Sequence, residues 1–90
     1  MRAIVTVIGK DQYGIIAKVS QKLLDYNINI LDITQTVMQG NLFTMILLAD
    51  IAKMNCPFEV LKDGLKELGD SLDLSIRVQR EEIFQAMHRI

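Results

Sequence analysis

The sequence predicts an α+β fold, a ferredoxin-like βαββαβ sandwich: a four-stranded antiparallel sheet with two helices on one face, followed by a short C-terminal helix. Three observations predict it. Four segments of strand length are β-branched or alternate apolar with polar residues. Two further segments repeat apolar residues at helical spacing. Along the chain these segments follow the order strand, helix, strand, strand, helix, strand. With right-handed crossovers, that order closes into one sheet covered on one side. Ninety residues make one domain, spanning 1–90.

Each element follows from its residues. Ala3–Ile8 is apolar on both alternating faces, as a central strand requires. Tyr13–Tyr26 reads as a helix, with Ile16, Val19 and Leu23 on its inner stripe, widened by Ile15 and Leu24. Asn27 ends it in the left-handed conformation that asparagine tolerates. Ile28–Gln39 is a long strand with Leu31, Ile33 and Val37 on one face and Asp32, Thr34 and Thr36 on the other. Gly40-Asn41 forms a two-residue hairpin turn, and a leading glycine suggests type II′. Leu42–Ala49 returns antiparallel, with Phe43, Met45, Leu47 and Ala49 alternating against Leu42, Thr44, Ile46 and Leu48. After a loop over Asp50–Cys56, Pro57 opens a second helix striped by Phe58, Leu61, Leu65 and Leu68, with Gly69 as its stop. Ser71–Gln79 is the last strand, with Leu72, Leu74, Ile76 and Val78 on one face. A tail helix over Glu81–Arg89 carries Ile83, Phe84, Met87 and Ile90 on one side.

Bulk properties narrow the partners. Ten basic and 11 acidic residues give a net charge of −1, so nucleic acid and anionic membranes are poor partners. The longest apolar run, Met45–Ala49, is too short to span a bilayer, and Met1-Arg2-Ala3 leads into a strand rather than a cleavable signal. A single cysteine, Cys56, fits a reducing compartment, so a cytoplasmic location is expected. Two helices cover only one face of four strands. The other mixes Thr6, Asp32, Thr34, Thr36 and Asp73 with Ile4, Ile8, Leu42, Ile46 and Leu48. An apolar patch of that kind predicts a homodimer, unless the tail helix seals it.

No enzyme is expected. The lone cysteine and lone histidine, His88, have no apparent nucleophile–base partner, and no metal-ligand spacing or cofactor motif is present. The loop after the first strand offers Lys10 rather than a phosphate-cradling arginine, and the first strand has no aromatic residue on which a base would stack. The chemistry lies in Val7–Ser20, where an apolar strand runs through a short polar turn into a helix that begins at Gly14. The first amides of a helix lack internal partners and carry the positive end of its dipole, so a carboxylate fits there if no side chain intervenes. Asp11 has two readings, a ligand-ammonium partner or the helix cap, and the cap is favoured.

The segment Gly9-Lys10-Asp11-Gln12-Tyr13-Gly14-Ile15-Ile16-Ala17-Lys18-Val19-Ser20, followed by Asn29-Ile30 and Gln35, resembles an ACT domain. It is most similar to the ACT modules of the glycine-cleavage regulator and of formyltetrahydrofolate deformylase, and to small single-ACT-domain proteins of about this length. The resemblance implies the same βαββαβ fold and a non-catalytic regulatory module. Such a module binds a small ligand, most often an amino acid, at a dimer interface and signals to a partner protein. Carried over by residue, it implies a ligand site of Asp11, Gln12, Tyr13, Gly14, Ile15, Asn29 and Ile30, with Asp32 and Gln35 as further members. Tyr13 stands where several relatives carry proline. The alternative function is a dimeric protein–protein adaptor with no small ligand, using the open sheet face and free edge strands.

Overall fold

The computed structural model describes residues 1–81. Its elements are β1 (Arg2–Lys10), α1 (Ile15–Asp25), β2 (Asn29–Met38), β3 (Leu42–Asp50), α2 (Phe58–Leu72) and β4 (Leu74–Arg80). The strands pair antiparallel in the order β2-β3-β1-β4, which is the expected α+β sandwich. The tail helix read over Glu81–Arg89 lies outside the described residues beyond Glu81, and His88 with it.

The pleat explains the core. Ala3, Val5 and Val7 of β1 share one face with Ala49, Leu47 and Met45 of β3 and with Val78 and Ile76 of β4. All are buried against Ile15, Val19 and Leu23 of α1 and Leu61 and Leu65 of α2. Each large aliphatic side chain buried there contributes about 1.5–3 kcal/mol. Ile16 is not among them: it is 37 % exposed, on the flank of α1 rather than its inner stripe.

Several boundaries move, each for a physical reason. α2 does not stop at Gly69 but runs to Leu72, and Asp73 takes the left-handed cap at φ 59°. Ser71, Leu72 and Asp73 therefore leave the last strand, which begins at Leu74. Gly69 is buried inside the helix where α2 presses on β4: a Cβ there would lie 2.7 Å from the Leu74 carbonyl oxygen and 3.1 Å from Ile76 Cγ1. Close approach, not termination, requires the glycine. α1 begins at Ile15 rather than Tyr13, and Asn27 is left-handed as expected, at φ 59°. The β2–β3 turn is not type II′. Gly40 and Asn41 both have positive φ, 80° and 61°, whereas type II′ requires it only at the first. Pairing resumes only at Met38↔Leu42, so Gln39 joins the loop. A register shift between Ile30 and Asp32 leaves Leu31 as an extra residue in β2.

Two apolar surfaces remain among the described residues. On the face away from the helices, Met38, Leu42, Ile46 and Ile8 are 54, 40, 41 and 43 % exposed. On the helix side, Ile33 and Val37 pair with buried Leu47 and Phe43 yet are 39 and 53 % exposed. The helices stop short of the β2 edge.

Candidate functional site

The turn between β1 and α1 is tied down at two points. The Asp11 amide donates to the Asn41 carbonyl at 2.7 Å, joining it to the β2–β3 turn. Gln12 Nε2 donates to the Leu72 carbonyl at 2.8 Å, joining it to the end of α2. Gly14 then adopts φ 83° and serves as the N-cap. A side chain there would meet only Lys18 Cε, at 3.8 Å, so the glycine is required by the backbone conformation and not by crowding. The expected cap by Asp11 is not formed, because the helix starts three residues later, at Gly14, with no side-chain cap. Asp11 is exposed and left to face solvent.

The helix mouth is open. Lys18 is the first residue whose amide bonds back into the turn, to the Gly14 carbonyl at 2.9 Å. The amides of Ile15, Ile16 and Ala17 have no acceptor among the described residues. Tyr13 is fully exposed and does not plug the mouth, while the Ile15 side chain is 2 % exposed and belongs to the core. Lys18, one helical turn above Gly14, adds a cation beside these amides, so dipole and charge favour an anion together. Sequence reasoning missed Lys18, although its i+4 spacing from the glycine was the available signal.

The other expected site residues lie elsewhere. Asn29 pairs with Asp50 and Ile30 with Ala49, at the end of the sheet where α1 finishes. The 11 residues of α1 separate that end from Gly14, about 16 Å at 1.5 Å per residue. Asn29 and Ile30 also point to opposite faces, and only half-buried Ile30 shares the side of the helices. Asp32 is on the open face, where its Oδ1 accepts the Ile33 amide at 2.9 Å. Gln35 lies midway along β2, exposed, opposite Met45 on the helix side. One chain thus gathers Asp11, Gln12, Tyr13, Gly14 and Ile15, and keeps Asn29, Ile30, Asp32 and Gln35 apart from them.

Around Asn29 there is a shallow hollow of about 230 Å³, lined also by Leu24, Asn27, Ile28, Asp50 and Lys53. Asn27 Nδ2 donates to the Lys53 carbonyl at 2.8 Å and fixes its rim. Among the described residues no three His, Cys, Asp or Glu side chains cluster as metal ligands, and no helix is long and apolar enough to cross a membrane.

The sequence places this βαββαβ sandwich, with its uncapped, glycine-led first helix, in a family. The ACT domain profile matches residues 2–79, so the chain belongs to the ACT domain family. It is 50 % identical over 90 residues to the UPF0237 protein of Listeria innocua, covering all of both chains. It is also similar to the solved ACT domain protein of Streptococcus pneumoniae, at 38 % identity, TM-score 0.81 and 93 % coverage of each chain. The regulatory subunit of aspartate kinase from Thermus thermophilus, solved in its ligand-free form, matches with TM-score 0.66 and 25 % identity over 87 % of this chain and 50 % of that one.

Proposed function

We propose that this chain is a non-catalytic regulatory module that binds a small carboxylate-bearing ligand, an amino acid, at the interface between two copies of itself, and reports occupancy to a partner protein. One observation carries the reading: the uncapped helix mouth at Gly14 and the Asn29–Ile30 strand start lie at opposite ends of α1, too far apart to clasp one amino acid within a single chain.

A second copy removes that separation. β2 is a free edge of ten residues with one charged residue, Asp32, whereas the opposite edge, β4, carries Arg77 and Arg80. Long edges of low charge favour strand pairing and charged edges resist it. Antiparallel pairing of β2 with its copy about Thr34 sets Asn29 of one copy opposite Gln39 of the other, in the turn whose Asn41 carbonyl holds the Asp11 amide. Ile33 and Val37 would then gain cover on the helix side. So would Ile16 and Leu24, which lie on the flank of α1 away from Tyr26, the residue packed on Gly64 of α2. The Thermus thermophilus neighbour is the regulatory subunit of aspartate kinase, solved in its ligand-free form, which supports a regulatory role for this chain.

Thermal melts of the protein against each of the twenty amino acids at ~10 mM test the reading. A ligand bound with a Kd near ~0.1 mM contributes about 2.7 kcal/mol at that concentration, equivalent to a rise of roughly 10 °C or more in the midpoint of a domain this size. No rise with any amino acid overturns the proposal.

A further inference from the structure

We propose that the groove between α2 and the outer edge of β4 docks an extended peptide segment of a partner protein, which adds as a strand antiparallel to β4 and sets an acidic side chain against Arg77. The groove is where the partner of the proposed function is met, so its role as an output rests on that reading. It holds about 870 Å³ and is complete within one chain. β4 is the edge of the sheet opposite β2, so alternate amides and carbonyls along its seven residues face away from β1. Leu74, Ile76 and Val78 form the floor. They turn to the helix side yet retain 6, 8 and 7 % exposure, where Val5 and Val7 on the neighbouring strand retain 1 and 0 %. The α2 row Lys62, Lys66 and Asp70, at i, i+4 and i+8, forms the wall. A strand edge beside a helix gives a peptide main-chain hydrogen bonds from the one and side-chain selection from the other.

Charge selects the occupant and its direction. α2 and β4 run antiparallel: Phe58 lies under Arg80, and Gly69 is abreast of Leu74 and Ile76. Lys62, seven residues before Gly69, is about 10 Å back along α2, which brings it level with Val78, about 10 Å along β4 from Ser75. Lys66 is engaged by Asp70 at 3.3 Å. Lys62, Arg77, Asp63 and Asp73 line the same groove with no ion-pair partner among the described residues. Two of these free charges are cations, with Asp63 between them, at the Arg77–Val78 level; the third carboxylate, Asp73, stands alone at the Leu74 end. A strand antiparallel to β4 therefore fits with an acidic residue at its centre and a basic one at its C-terminal end. Arg77 points to the open face, opposite Thr6, so an acidic partner residue meets it as a cross-strand pair. A second copy of this chain is disfavoured: antiparallel self-pairing of β4 centred on Arg77 sets two arginines opposite each other.

Fluorescence anisotropy tests the groove. The probe is a labelled seven-residue peptide with valine at its third and fifth positions, glutamate at its fourth, lysine at its last and threonine elsewhere. It is titrated with the 90-residue protein, with no amino acid added. We expect saturable binding with a Kd below about 1 mM, and about threefold to tenfold weaker binding when the central glutamate is replaced by lysine. Arg77→Glu, at an exposed position, should invert that preference. Amide shift changes in the labelled protein should fall on β4 and on the row from Lys62 to Asp70. No saturation at about 1 mM, a preference that Arg77→Glu leaves unchanged, or shift changes centred on β2 each overturn the proposal. Amino-acid binding is read separately by the thermal melts: flat melts with the peptide bound remove the sensor and keep the groove, and a ligand-raised midpoint with no peptide bound does the reverse.

Discussion

Replacing Gly69 with alanine reports directly on how α2 meets the sheet. In an exposed helix interior, Gly→Ala stabilises by about 1 kcal/mol. Here the new methyl would sit 2.7 Å from the Leu74 carbonyl oxygen and 3.1 Å from Ile76 Cγ1. The first of these atoms is backbone in a paired strand and cannot swing aside, so either α2 lifts or β4 shifts. Overpacking of this kind costs about 1–3 kcal/mol and outweighs the helix gain at a buried site. We expect Gly69→Ala to lose about 1–2 kcal/mol, read in urea denaturation as a lower midpoint with unchanged slope. The partner variant, Asp73→Gly, has the opposite sign. Asp73 holds φ 59° as the true cap of α2. Left-handed backbone costs a non-glycine residue about 1–2 kcal/mol, and part of that returns with glycine. A gain of about 0.5–1 kcal/mol is expected after glycine's extra chain entropy is subtracted. If Gly69→Ala is neutral or stabilising, or if Asp73→Gly destabilises, α2 does not run past Gly69 into β4 as described.

The β1–α1 turn gives further predictions. Gly14→Ala meets no crowding but must hold φ 83°, so it should lose about 1 kcal/mol in the same denaturation assay. Gln12→Ala removes the bond to the Leu72 carbonyl and should cost about 0.5–1.5 kcal/mol, while Tyr13→Ala, at a fully exposed position, should stay within about 0.5 kcal/mol of the wild type.

The fold was legible because its signals are local. The alternation in Leu42–Ala49 and the stripe from Phe58 to Leu68 are written in successive residues, and one side of each meets the core. Gly69 was misread because a glycine at the end of an apolar stripe looks the same whether it ends a helix or lets a strand approach; only the position of Leu74 separates the two. The cap was misread for a related reason: Asp11 is a good cap in isolation, but Gln12 and Tyr13 intervene before Gly14 takes the position. The geometry around the candidate site was legible in part. The open mouth at Gly14 follows from one contiguous segment, whereas its distance from Asn29 and Ile30 is set by the length of α1 and the strand order. Leu31 sits in an irregularity of β2 that no alternation pattern announces.

Sedimentation equilibrium of the wild type and of Val37→Lys at micromolar concentration tests most directly whether the site is completed by pairing along β2. Val37 is 53 % exposed in the single chain, so lysine there leaves the monomer fold intact and places a charge in the proposed seam. The account predicts twice the mass of one chain for the wild type and the mass of one chain for the variant. A wild type that sediments as a single chain, or a variant that still pairs as tightly, would contradict it.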